Sequence, residues 1–240
     1  MNNLKFCIYS IPFFVASAVH IFACITDNEK LRVQTKPFLM PLLALSVFLY
    51  SFMYLKALPI QRILLICAIF FGWIGDLYLL ANPSDSRFAK GALFFLIGHF
   101  FYIAILIILF NFTEVSVFLA SIIIFIYICL LFLTLKNGQL PKGAFGIELI
   151  IYAAILSASS CIALILLTTY LTTSSKGSLA INGNFISQIF IIFIGGIFFL
   201  LSDATLSFAT FNKRFKQCDT LIMSTYLVAQ FLLAFGISLC

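Results

Sequence analysis

The chain predicts an all-α fold, a polytopic transmembrane bundle of eight helices. Of its 240 residues, 63% are hydrophobic and only 9% are charged, whereas a soluble domain carries roughly 25% charged residues. The mean hydropathy is +1.18. The apolar residues fall into eight runs, about 6–26, 37–56, 60–81, 92–110, 115–135, 148–171, 185–211 and 220–239. Each is close to the ~20 residues that cross a bilayer as a helix. Backbone polar groups inside hydrocarbon have to be satisfied within the segment, which selects helices over open sheet. The connecting segments are short, so 1–240 reads as a single transmembrane domain.

The first run follows Lys5 and contains Ile21-Phe22-Ala23-Cys24, which faintly resembles a lipoprotein cleavage box. Phe22 is too bulky for that box and His20 interrupts the apolar stretch, so the run reads as the first membrane helix. The second run opens at Lys36-Pro37, and the third carries Asp76 in Gly72-Trp73-Ile74-Gly75-Asp76. Asn82-Pro83-Ser84 separates it from the fourth, which carries His99 and Tyr102. The fifth ends at Lys136-Asn137-Gly138, with Pro141 following. Glu148 opens the sixth, where the helix dipole favours a carboxylate. Ser174-Ser175-Lys176-Gly177 to Asn182-Gly183-Asn184 leads to the seventh, which carries Asp203, and the eighth carries Tyr226 and Gln230. The 30 phenylalanines read as packing and lipid-facing surface.

The net charge of +6 comes from basic residues in short loops, which set orientation and do not suggest nucleic acid. The odd-numbered loops hold ten of them (Lys30, Arg32, Lys36, Arg87, Lys90, Lys136, Lys142, Lys213, Arg214, Lys216), against four on the other side (Lys5, Lys56, Arg62, Lys176). The positive-inside rule then places the odd loops in the cytoplasm and both termini outside. In that frame His20, Lys36, Asp76, His99, Asp203, Tyr226 and Gln230 share the cytoplasmic half, which predicts one polar cavity there.

A charged residue at the centre of a membrane helix costs roughly 2.5–3.5 kcal/mol on insertion scales, so intramembrane carboxylates are functional by default. Gly72, Gly75, Asp76 and Leu79 lie at i, i+3, i+4, i+7, on one helical face. Phe95, Gly98, His99 and Tyr102 repeat that spacing, and so do Phe199, Ser202, Asp203 and Leu206. In each set a small residue precedes the ionisable one, which lets helices approach and polar groups meet across the seam. Asp76 to His99 is 23 positions, as is Asp203 to Tyr226, a weak echo of a four-helix unit used twice. The expected partner of Asp76 is therefore a second carboxylate, Asp203, and not a cation. Lys36, near a helix end, reads as a snorkelling residue or a phosphate contact.

Other chemistries fit less well. The seven cysteines are scattered without a CxxC pair, and the two histidines have no ligand spacing, so neither a disulfide framework nor a metal site is expected. Ser46, Ser157, Ser159 and Ser202 lie within the runs, but no GxSxG nucleophile elbow is present.

Together these residues resemble the YhhN family of membrane proteins, which includes mammalian lysoplasmalogenases. The matching pieces are Thr35-Lys36-Pro37-Phe38 with Pro41-Leu42-Leu43, Gly75-Asp76 with Leu79, Phe95-x-x-Gly98-His99-x-x-Tyr102, Ser202-Asp203 with Leu206, and Tyr226-x-x-x-Gln230. They run in order over most of the chain; His20 stands outside the pattern. The resemblance implies an integral membrane hydrolase of bacterial inner-membrane type, needing no cofactor. Its implied substrate is a lysophospholipid, a lysoplasmalogen, whose vinyl ether is cut to a fatty aldehyde and a glycerophospho-base. Asp76 and Asp203 would then be acid and stabilising base, with His99 orienting or relaying a proton. Tyr102, Tyr226 and Gln230 would hold water or the glycerol hydroxyl, and Lys36 would meet the phosphate. The competing expectation is a proton-coupled transporter of lipid or small molecules, since buried Asp and His also suit a proton relay. Against it, the runs lack clear Gly/Pro-interrupted pairs at mid-membrane.

Overall fold

In the computed structural model, residues 2–56, 58–80, 85–109, 115–137, 144–175, 183–211 and 214–240 are described. Asn82-Pro83-Ser84, Gly138, Pro141, Lys142, Lys176-Gly177, Asn182 and Lys213, with the turns and loop charges expected of them, lie outside the described residues.

Nine α-helices form the described bundle: α1 (Asn2–Tyr9), α2 (Ile11–Ile25), α3 (Glu29–Leu49), α4 (Ile60–Leu80), α5 (Asp85–Leu109), α6 (Val117–Asn137), α7 (Ala144–Ser175), α8 (Gly183–Phe211) and α9 (Cys218–Leu239). The described part of every apolar run is largely helical. Among the described residues six helices are individually long and apolar enough to cross a bilayer. The first run is a bent pair, α1 and α2 meeting at 57°, which makes seven if taken as one span. Ser10 stands at that break with its hydroxyl donated to the Phe6 carbonyl, and Pro12 in the first turn of α2 needs no donor there. The residues on both sides of the break are mainly apolar, so hydropathy passes over it. In α6 the described apolar stretch is Val117–Leu133.

Helix α3 begins well before the apolar run it contains. Asn28 caps it by accepting from the Leu31 amide, and Glu29 lies in its first turn, where the dipole favours a carboxylate. Pro37 and Pro41 sit inside α3. Pro41 has no N–H, so the Pro37 carbonyl loses its helical donor. The Trp73 indole of α4 supplies one at 2.8 Å. That bond satisfies a backbone group that hydrocarbon could not, and it ties α3 to α4 just beside Lys36 and Asp76. Beyond Leu49, α3 runs on as a π-helical turn, Tyr50–Leu55, closed by Lys56 in the left-handed region (φ 53°).

Consecutive helices pack in two series, α2 on α3, α4 and α5, then α6 on α7, α8 and α9, with α5 on α7 joining them. Backbones come closest in the α4–α5 and α8–α9 pairs. A Cβ at Gly75 would stand 2.8 Å from the Phe95 ring, and one at Gly236 2.6 Å from Ile192. Small residues at these crossings bring the polar faces of α4, α5, α8 and α9 into one interior.

Candidate functional site

Asp76 is 3% exposed, in the last part of α4. Its Oδ1 faces Lys36 Nζ at 3.3 Å, and its Oδ2 accepts from the Tyr226 hydroxyl at 2.8 Å. The expectation that a carboxylate, and not a cation, would partner Asp76 is therefore corrected. The reason lies in α3. Because that helix starts at Glu29, Lys36 is seven residues into it and reaches inward, with only 14% of its side chain exposed. Nor does Lys36 act as a free interfacial snorkeller.

The network continues through Gln230. Its Nε2 donates to the Tyr226 oxygen at 3.4 Å, and its Oε1 accepts from the Tyr102 hydroxyl at 2.8 Å. Lys36, Asp76, Tyr226, Gln230 and Tyr102 thus form one chain of polar contacts across α3, α4, α9 and α5. Spacing alone placed these groups on single helical faces, and the bundle turns the faces toward each other.

Asp203, on α8, is 8% exposed and accepts at Oδ2 from the Tyr152 hydroxyl of α7. Tyr152 was absent from the sequence-based site. The signal that points to it is modest: Tyr152 and Ser159 are seven apart, on one face of an otherwise apolar run. Ser202, the small residue beside Asp203, donates to the Ile222 carbonyl at 3.1 Å and joins α8 to α9.

His99 is 3% exposed, and its Nδ1 lies 3.2 Å from Ser159 Oγ of α7. Its Nε2 is buried with no partner among the described residues. The imidazole stands edge-on to Phe199, with centroids 4.5 Å apart, and Phe199 in turn contacts Tyr226 at 5.6 Å. Phe95, lying over Gly75, meets both Tyr226 and Phe199 edge-on. Phe199 thus touches both His99 and Tyr226, and Phe95 packs on Phe199 and Tyr226. His20 is also buried, but on α2, where it meets Thr35 at 2.7 Å.

The single polar cavity expected from shared depth is replaced by close packing with small voids. One of about 10 Å³ is lined by His99, Tyr102 and Ser159, and another of about 10 Å³ by Phe95, Tyr152 and Asp203. Each is about the size of one water. Aromatic side chains fill the space that small residues open, so the polar groups touch directly instead of lining a pool. At the N-terminal ends of α3 and α9, Arg32 and Arg214 both pair with Asp219 and hold that end of the bundle together. Among the described residues no three His, Cys, Asp or Glu side chains are grouped to hold a metal ion.

A family model, the YhhN family, matches residues 31–237. The matched span contains all seven residues expected at the site, together with Tyr152 and Ser159, and leaves out His20. No curated protein and no solved structure matches the chain.

Proposed function

The chain belongs to the YhhN family, and we propose that it is a membrane-embedded hydrolase that cleaves the vinyl ether of lysoplasmalogens to a fatty aldehyde and a glycerophospho-base. The observation that carries this reading is the pair of buried carboxylates held by different donors, Asp76 by an ammonium and a phenol, Asp203 by a phenol.

Vinyl ether hydrolysis begins with proton transfer to the alkenyl carbon remote from oxygen. The double-bond electrons take the proton and leave an oxocarbenium ion at the carbon bonded to the ether oxygen. Water adds to that carbon and loses a proton, giving a hemiacetal. Collapse of the hemiacetal moves a proton to the glycerol oxygen and breaks the C–O bond, releasing aldehyde and alcohol. One water is consumed and the acid is regenerated. The chemistry asks for a carboxylic acid beside a carboxylate anion, the division of labour that paired carboxylates provide in glycoside hydrolysis.

The donor sets favour one division of roles. Asp76, facing an ammonium, is the anion that stabilises the oxocarbenium ion. Asp203, whose described donor is a neutral phenol, is the acid. Tyr226 and Gln230 orient Asp76, and Tyr102 and Gln230 offer polar atoms to water or to the glycerol hydroxyl. An ammonium has three donors, so Lys36 retains capacity for the substrate phosphate while it faces Asp76. His99 serves the water. The single alkenyl chain lies among the phenylalanines of the bundle. The protein acts as an integral membrane enzyme, in the inner membrane of a bacterial cell.

The test is aldehyde release from lysoplasmenyl-ethanolamine by purified protein in lipid nanodiscs. Turnover by the parent chain, lost in folded Asp76→Asn and in folded Asp203→Asn, is the expected result. Near-normal turnover in either variant overturns the mechanism. Substrate uptake into proteoliposomes without product would instead favour the transporter.

A further inference from the structure

The geometry around His99 points to a built water site, and we propose that the void between α5, α7, α8 and α9 holds the hydrolytic water, with Ser159 setting the tautomer that makes His99 its base. This rests on the hydrolase reading above and adds to it a ligand site and a positioning residue.

The Ser159 hydroxyl has one proton. It is donated to the Leu156 carbonyl at 2.8 Å, a back-bond within α7. The Ser159 oxygen can then only accept from His99, 3.2 Å away, so the imidazole proton sits on Nδ1. A neutral imidazole has one N–H, which leaves Nε2 as a bare lone pair. That atom is buried and has no partner among the described residues. A buried acceptor without a donor is unfavourable, and the nearest room for a donor is the void of about 10 Å³ that His99, Tyr102 and Ser159 line.

Tyr102 completes the site. Its hydroxyl proton goes to Gln230 Oε1, so its oxygen retains lone pairs. A single water in the void has two acceptors, His99 Nε2 and the Tyr102 oxygen, one for each of its hydrogens. The remaining walls, Leu106, Ala163, Ile192 and Leu233 among them, offer no polar side chain. With both hydrogens held, the oxygen lone pairs are free for attack. As the oxygen bonds to the oxocarbenium carbon, one O–H bond breaks and its proton passes to Nε2. The imidazolium keeps its Nδ1–H on Ser159, and the proton returns to the Asp203 carboxylate to reset the acid.

The same geometry rules out a Ser–His nucleophile pair. The Ser159 proton points to a backbone carbonyl and not to His99, so the imidazole is not placed to remove it. His20 repeats the arrangement at a place away from this void: Thr35 donates to the Leu31 carbonyl at 2.8 Å and meets His20 Nδ1 at 2.7 Å. The chain has two histidines, so His20 is an internal reference of known environment.

The experiment is nitrogen NMR on protein labelled with ¹⁵N-histidine in nanodiscs, paired with steady-state turnover. In the parent chain both histidines are expected in the Nδ1–H form, with His99 Nε2 shifted by a water hydrogen bond. Ser159→Ala should move His99, and not His20, toward the Nε2–H form and lower kcat by about tenfold or more at nearly constant KM, within the range of general-base catalysis. Ser159→Thr, which keeps the hydroxyl, should restore tautomer and rate. Ala163→Val, which narrows the void without touching the histidine's partner, should remove the water shift at Nε2 and lower kcat while leaving the tautomer alone. A parent His99 in the Nε2–H form, or folded Ser159→Ala with tautomer and kcat unchanged, overturns the proposal. If the folded parent releases no aldehyde, the hydrolase reading fails on its own. The tautomer and its response to Ser159→Ala and Ala163→Val then still decide the water site.

Discussion

Replacing Lys36 tests the feature on which the site is most dependent, the ammonium beside Asp76. The two charged atoms are 3.3 Å apart, with side-chain exposures of 14% and 4%. At that distance and an effective dielectric constant near 20, the direct attraction is about 5 kcal/mol. Desolvation of both ions offsets much of it, and the net coupling of such a pair falls to about 1–3 kcal/mol. Loss of one partner costs more than the coupling, because the other is left buried. Lys36→Met leaves Asp76 with the Tyr226 hydroxyl and no cation, for an expected loss of about 3–5 kcal/mol. Asp76→Asn keeps an oxygen for Tyr226 and frees a lysine that can turn toward the interface, so its cost should be smaller. The double variant Lys36→Met/Asp76→Asn should then be more stable than the sum of the singles implies. The assay is reversible SDS unfolding in mixed micelles over the full double-mutant cycle. A coupling below about 0.5 kcal/mol, the level expected of independent sites, would refute the pair as an organising contact and remove the basis for calling Asp76 the anion.

Trp73→Phe removes the donor to the carbonyl that Pro41 leaves open, and should cost about 1–3 kcal/mol in the same unfolding assay. Gly75→Ala drives a methyl to 2.8 Å from Phe95 and 3.1 Å from the Gly91 carbonyl, for about 1–3 kcal/mol of destabilisation. Gly72→Ala, with nothing nearer than 3.6 Å, should be neutral or slightly stabilising, since alanine favours a helix by about 1 kcal/mol. Tyr152→Phe takes the donor from Asp203 and should lower turnover by about 10- to 100-fold, the size of a hydrogen bond to an ionisable group; an unchanged kcat would detach Tyr152 from the site. If the excess of basic residues on the odd loops sets the orientation, the C-terminus lies outside and an alkaline phosphatase fused there should be active. An inactive phosphatase beside a fluorescent C-terminal fusion would invert the topology.

The helices were legible because bilayer thickness imposes a run length, and the described part of every run is largely helical. The break at Ser10 was not, because its flanks are mainly apolar and hydropathy has no term for direction. A local rule, a small residue just before an ionisable one, singles out Asp76, His99 and Asp203, whereas Lys36, Tyr102, Tyr226 and Gln230 are expected from shared depth, helical faces and the family resemblance. Their pairing was not legible, because spacing assigns a residue to a helical face and says nothing about which face it meets. Lys36 shows the cost. Placed at the edge of an apolar run it reads as interfacial, yet α3 begins two turns earlier and carries it inward. Tyr152 and Ser159 were harder still. A lone tyrosine or serine in an apolar run is common, and neither gains meaning until Asp203 and His99 are found opposite.

The two aspartates have matching places in their halves of the chain, and each is met from the helix before its own. Lys36 of α3 reaches Asp76 on α4, and Tyr152 of α7 reaches Asp203 on α8. The geometry is repeated while the donor differs in kind. An ammonium carries a full charge that favours a neighbouring anion, whereas a phenol hydrogen-bonds either state of a carboxyl group. Two like carboxyl groups in close reach in a low-dielectric interior avoid ionising together. In the proposed mechanism the position of one lysine is what would make Asp76 the anion. Tyr226 crosses from the second series of helices to Asp76 in the first, and Ser159 from the second to His99 in the first. Both contacts cross between the series, so in the proposed mechanism the acid, the anion and the base would be assembled only when the two series close on each other.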